Sequence, residues 1–305
     1  MTNAAALPRA FLHPRYWATW LGIGLLRLIT LLPLAFNRRV GAALGALLGR
    51  LMSSRRRVVR VNLRLCFPQL SDAERERLLR AHFRAVGAGV FEAAFAWFAS
   101  DARVRRCAEI RGLEHLDAVL DAGQGALLLT GHFTTLELGA RILATARPFH
   151  AMYRPINNRL IDHYMRRWRA ERSGLPALPK DDLKKLVKAL RAGRPIWYAP
   201  DQTLGRQTGV FLPMFGVPTF TITATSRLAE MGRARVVPFF TRKEKGRYIV
   251  ECLPALEGFP SGDDVADTLR IHQLIETAVQ QALPDYFWLH RRFKERPPGM
   301  PDPYA

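Results

Sequence analysis

The sequence predicts an α/β fold, a mostly parallel central sheet flanked by helices, behind an N-terminal membrane-anchor helix. Beyond about residue 105, short apolar runs alternate with helical patterns, which is the signature of crossover connections between parallel strands. Before that point lie a nearly unbroken apolar run and one long, capped helical stretch. The expected division is an anchor over 1–39 and a catalytic domain over 40–305.

Taken in order, Tyr16 to Phe36 is almost wholly apolar, and as a helix it would extend roughly 30 Å, about the thickness of a bilayer's hydrocarbon core. Trp17 and Trp20 stand near one end, and Arg38, Arg39, Arg50 and the Arg55 cluster outweigh Arg9 and Arg15 on the other side. That bias orients the catalytic domain toward the cytoplasm. Arg27 interrupts the run and permits a second geometry, in which the helix lies in the interface with its guanidinium among headgroups. No small-residue cleavage site follows, so a removable signal peptide is not expected. Val40 to Met52 is rich in small residues and reads as a helix packed near the membrane face.

Ser71-Asp-Ala-Glu74 is a capping box that opens a long helix, on which Phe83, Val86, Val90, Phe91 and Phe98 recur at helical spacing. The expected strands are 125–130, 150–153, 195–198, 235–240 and 248–252. Between and after them, helices are expected over 136–145, 158–171, 181–191, 219–231 and 264–282. The Pro-rich tail from Arg296 reads as irregular.

Lys and Arg total 46 against 26 Asp and Glu, a formal charge of +20, which points to an anionic partner. Charge alone leaves nucleic acid, an acidic protein and a phosphorylated lipid surface open. No nucleic-acid recognition module is visible, and the aromatics sit in apolar runs rather than among basic residues. Cys66, Cys107 and Cys252 are widely spaced with no Cys-x-x-Cys pair, which argues against a zinc or redox centre. No metal-ligand cluster and no glycine-rich nucleotide fingerprint is present, so no metal or cofactor is expected.

The chemistry is expected around Leu127-Leu-Leu-Thr-Gly-His-Phe-Thr-Thr-Leu-Glu137, where an apolar strand gives way at Gly131 to His132 and then to a new helix carrying Glu137 in its first turn. A histidine at a strand end can take a proton from an attacking hydroxyl, with a carboxylate fixing its tautomer, and Glu137 is the expected carboxylate. Arg154 follows the next strand and precedes Pro155, which keeps its backbone extended. Asp201 follows a third, between Ala199-Pro200 and a turn at Thr203-Leu-Gly205, as substrate ligand or as turn former. Arg166, Arg169 and Arg172 recur every three residues on one helix face suited to phosphate, with Arg169 the chosen ligand. His290 is set aside as structural. No Gly-x-Ser-x-Gly elbow occurs and no cysteine adjoins the histidine, which argues against a covalent acyl-enzyme.

These segments, with His13-Pro-Arg-Tyr-Trp17, Asn62-Leu-Arg-Leu-Cys-Phe-Pro68, Tyr153-Arg-Pro155, Trp197-Tyr-Ala-Pro-Asp201 and Trp288-Leu-His-Arg-Arg-Phe-Lys294, resemble the bacterial lipid A late acyltransferases nearly end to end. The resemblance implies a fold like that of the glycerolipid acyltransferases. It also implies an inner-membrane O-acyltransferase that takes a fatty acyl group from acyl carrier protein and passes it to a hydroxyl of a lipid A precursor of the Kdo-lipid IVA type. His132 and Glu137 would be catalytic, and Arg154 and Asp201 would match the family's substrate-holding blocks. Wider relatives often carry Pro-Glu-Gly where this chain has Pro200-Asp-Gln202. Acylation of another lipid, such as a lysophospholipid or an ornithine lipid, and membrane-tethered nucleic-acid binding are the rival readings.

Overall fold

A computed structural model describes residues 9–202 and 209–305; the turn expected at Thr203 to Gly205 lies outside them. The apolar N-terminal run does not form one helix. Helix α1 (Trp17–Ile29) has 13 residues, the chain turns through Thr30–Pro33, and α2 (Leu34–Leu51) starts afresh. Pro33 explains the break, because its ring disfavours a helical conformation at Leu32 and it serves as the N-cap residue of α2. The corner is stapled by the Asn37 amide, which donates to the Ile29 carbonyl at 2.8 Å. Thirteen residues reach only about 20 Å. Among the described residues no helix is long and apolar enough to cross a membrane, so the expected spanning geometry is not found. A division at residues 39 and 40 would fall inside α2.

Helix α2 is two-faced. Gly41, Gly45 and Gly49 are buried, while Leu44, Leu47, Leu48 and Leu51 are exposed. The glycine face lies against α4 (Asp72–Phe98), which follows α3 (Ser53–Cys66) and opens with the expected Ser71–Glu74 capping box. A side chain at Gly45 would collide with the Phe83 carbonyl of α4, so only glycine permits this approach. Helix α2 is thereby part of the packed body.

After α5 (Asp101–Cys107) the alternating pattern begins. It runs β1 (Ala108–Arg111), α6 (Leu113–Asp121), β2 (Ala126–Leu129), α7 (Leu136–Ala144), β3 (His150–Tyr153), α8 (Arg159–Ser173), β4 (Leu178–Pro179), α9 (Leu183–Arg191) and β5 (Ile196–Tyr198). It continues with the hairpin β6 (Val210–Met214) and β7 (Val217–Thr221), then α10 (Ala224–Gly232), β8 (Arg235–Glu244), β9 (Arg247–Cys252) and α11 (Asp264–Gln281). The central sheet has the order β1-β9-β8-β2-β5-β3-β4 and is parallel except for the β8–β9 pair. Leu127 and Leu129 of β2 face one core cluster and Leu128 the other, which is why this strand reads as an unbroken apolar run.

The expected helix over 219–231 is shortened by the β6–β7 hairpin. Phe215 and Gly216 both have positive φ, the requirement of a tight turn that matches strand twist, and buried residues alternate along β7.

Candidate active site

Strands β2, β5 and β3 are parallel neighbours, so the loops after them open at one edge of the sheet. His132 follows β2, Asp201 follows β5 and Arg154 follows β3. Leu129 pairs with Tyr198, and the pairing continues as the Thr130 amide donates to the Tyr198 carbonyl. Equal steps onward from that pair lead to His132 and Asp201.

The two are joined twice. The His132 backbone N-H donates to Asp201 Oδ2 at 2.8 Å, and its ring Nδ1 lies 2.5 Å from Asp201 Oδ1. With Nδ1 engaged by the carboxylate, Nε2 is the nitrogen left for chemistry, and it has no hydrogen-bond partner among the described residues. Asp201 is almost fully buried. Burial alone would raise its carboxyl pKa, but the His132 charge, the two His132 hydrogen bonds and the Arg292 guanidinium outweigh it and hold the value at about 2. Asp201 is therefore an anion at any pH where the protein would work.

Glu137 does lie in the first turn of α7, as expected, but it turns away from His132. Its carboxylate receives Arg169 of α8 through Nε, at 3.2 and 3.4 Å, and through Nη2, and the Trp97 indole N-H at 3.1 Å. The expected contact between Glu137 and His132 is thus replaced by one between Asp201 and His132. The reason is geometric. A carboxylate one helical turn into α7 points toward α4 and α8, whereas the end of a neighbouring strand is lateral to the histidine.

Arg169 also stacks its guanidinium over Trp197, 5.3 Å from the ring centre, and reaches the wall of a cavity of about 640 Å³. His132, Arg154 and Arg292 line the same cavity, and Met152, Met165, Leu186, Leu228 and Met231 supply apolar wall. That volume lies within the usual range for small-ligand sites. Arg154 is exposed and has no ion-pair partner among the described residues, unlike Arg169. Four of the five expected residues therefore converge directly, and Glu137 joins them through Arg169.

Two further residues were not among the expected site residues, although Arg292 belongs to the Arg291–Arg292 cluster of the sequence. Tyr286 is buried, and that burial, together with the charge of Asp201, pushes its hydroxyl well above its ordinary value. Arg292 is buried and donates to the Phe220 carbonyl at 2.9 Å and to the Thr221 hydroxyl at 3.0 Å. Both come from the C-terminal stretch around Trp288 to Lys294 whose block pattern was visible in the sequence. His290 lines a small recess beside His132 and Asp201. Burial, then Arg292, lowers its pKa to about 4, which leaves it neutral. Among the described residues no cluster of three or more His, Cys, Asp or Glu side chains is arranged to hold a metal ion.

Residues 6–295 match the family model described as bacterial lipid A biosynthesis acyltransferase. The chain belongs to that family. It is 42% identical, over the whole of both chains, to the lipid A biosynthesis lauroyltransferase of Escherichia coli K12. It is 37% identical to the palmitoleoyltransferase of the same organism, over 95% of each chain. A lipid A biosynthesis acyltransferase of Haemophilus influenzae is 38% identical over 94% of this chain and 93% of its own. Membership makes acyl transfer the chemistry of this chain.

Proposed function

We propose that this chain transfers a fatty acyl group from acyl carrier protein to a hydroxyl of a Kdo-lipid IVA type precursor, in the late acylation of lipid A. The observation that carries the reading is the His132–Asp201 pair, opening on a large cavity with apolar walls and arginines. An apolar trough suits an acyl chain, and arginine forks suit the phosphates of the acceptor or of the donor's pantetheine arm.

In this mechanism His132 Nε2 removes the proton of the acceptor hydroxyl as its oxygen attacks the thioester carbonyl. Asp201 holds the ring by Nδ1 and supports the imidazolium. The C–S bond then breaks, and the proton passes from Nε2 to the departing thiolate, leaving an ester and a free thiol. Arg169, paired with Glu137 and stacked over Trp197, and Arg154 carry the anionic parts of the substrates. Glu137 acts here by positioning Arg169.

The same reading seats the protein on the cytoplasmic face of the inner membrane through the leucines of α1 and α2. Leu21, Leu25 and Leu28 recur on one face of α1 and are exposed, as are Leu44, Leu47 and Leu51 on α2. An in-plane seat accommodates the short α1 and leaves Arg27, also exposed, free to meet headgroups.

The test is to incubate the purified full chain with acyl carrier thioesters of several lengths and with tetra-acylated lipid A precursor, lysophospholipid or ornithine lipid in competition. Mass spectrometry should find the added acyl group on the lipid A precursor. Preferential acylation of either other lipid would overturn the acceptor assignment, and equal use of a carrier-free pantetheine thioester would overturn the donor assignment.

A further inference from the structure

The loop that carries His132 is held from its far side by a segment of the C-terminal region. The Thr134 amide donates to the Asp285 carbonyl at 2.6 Å, the Phe287 amide donates to the His132 carbonyl at 2.9 Å, and Phe133 forms a bridge with Tyr286. Those two backbone bonds make the Phe133–Tyr286 bridge, and the Asp285 side chain adds a third tie by accepting from the Thr134 hydroxyl at 2.8 Å. Tyr286 and Asp201 also line one small recess beside His132, so the segment runs next to both members of the His132–Asp201 pair.

What fixes the segment itself is a line of charges. Lys243, near the end of β8, lies 2.9 Å from Asp285 Oδ1 and 3.2 Å from Glu92 Oε1. Side-chain exposure is 0% for Glu92, 13% for Asp285 and 18% for Lys243. Glu92 Oε1 also accepts the Tyr248 hydroxyl at 2.5 Å and stands 3.3 Å from Arg38 Nε of α2. Lys243 is the sole ion-pair partner of Asp285 among the described residues, whereas Glu92 keeps Arg38 if Lys243 is lost. Neither Lys243 nor Asp285 lines the cavity that His132 faces.

We propose that Lys243, held between Glu92 and Asp285, is a positioning residue that sets His132 through the Asp285–Thr134 contact. Without the ammonium, Asp285 is a largely buried carboxylate with no cation, and it turns toward solvent. Its grip on Thr134 then weakens, and the histidine drifts from the geometry that proton transfer requires. Displacements of this size at a reacting group lower turnover far more than binding. The inference rests on His132 being the base.

The experiment measures kcat and KM for donor and acceptor on the full chain carrying Lys243→Met, Lys243→Arg, Thr134→Val, the Lys243→Met/Thr134→Val pair, and His132→Ala. Lys243→Met should lower kcat about tenfold or more with each KM within about twofold, and Lys243→Arg should recover most of the loss. The double variant should be little worse than Lys243→Met alone, because both changes break one connection. If Lys243→Met does not fold, as its thermal transition would reveal, Thr134→Val carries the test and should by itself lower kcat severalfold. Unchanged kcat in folded Lys243→Met, or in Thr134→Val, would overturn the positioning role, as would full additivity of the pair. Retained turnover in His132→Ala would instead overturn the assignment of the base, and with it the role of Lys243.

Discussion

His132 and Asp201 stand side by side because each lies the same distance in sequence beyond a paired position, Leu129 on β2 and Tyr198 on β5. Parallel strands advance together, so equal offsets past a paired position bring two loops to the same height above the sheet. A hydrogen bond from each end of His132, backbone and ring, then converts proximity into a fixed orientation. This double attachment distinguishes Asp201 from an incidental neighbour.

Replacing Asp201 by Asn should lower kcat by about two orders of magnitude or more, because the amide neither compels the tautomer nor supports the imidazolium, while KM changes little. Initial rates at saturating donor and acceptor would measure it. A loss under about threefold in a folded variant would show that His132 does not need this carboxylate.

Glu137 and Arg169 form one unit, so their removal should not be additive. Glu137→Ala and Arg169→Ala are each expected to remove most turnover, and the double variant should be close to the worse single one. A double variant whose loss is the product of the two single losses would mean that Glu137 works on the reaction by a route other than Arg169.

Much of the fold was legible because its signals are local. The apolar run of β2 is continuous since both its faces are covered, and the start of α4 is marked by a capping box that the structure reproduces. The loops at strand ends were legible for the same reason, and with them His132, Arg154 and Asp201. The partner of His132 was not, since lateral register between β2 and β5 joins residues 69 positions apart and leaves no trace in spacing. The division of the N-terminal run was missed although Pro33 marks it, because hydropathy registers the apolar length and not the backbone break.

Acid should weaken the fold before it protonates Asp201. His82 and His272 are almost fully buried, and burial lowers the pKa of each to about 4, against an unfolded value of about 6.5. A histidine depressed in the folded state binds its proton preferentially in the unfolded chain. Its contribution is complete above about pH 6.5 and is lost as pH falls toward about 4. Asp201, held at about 2, loses its contribution only below the ordinary aspartate range near 3.9. Urea midpoints should thus fall steadily from pH 7 to pH 4.5, and His272→Asn should flatten that slope. Equal midpoints across the interval would show that these histidines are not buried as neutral groups.

The exposed leucines of α1 and α2 give the last prediction its physical basis. Leu21, Leu25 and Leu28 are 66%, 57% and 63% exposed, far more apolar surface in one stripe than a single stray leucine presents. Inserting such side chains into lipid yields up to roughly 1.5 to 3 kcal/mol each, which over several leucines gives firm attachment without a spanning helix. The glycine face of α2 packs on α4, so charged substitutions on its opposite, leucine face leave that packing intact. Leu25→Glu with Leu47→Glu should therefore move the protein from the membrane to the supernatant in flotation assays, with its thermal transition unchanged. The unsubstituted chain should resist high salt, which screens only charge, and yield to alkaline washing, which releases proteins that no helix threads through the bilayer. Retention of the doubly substituted chain on membranes, or resistance of the original chain to alkali, would rule out an in-plane seat built on these leucines.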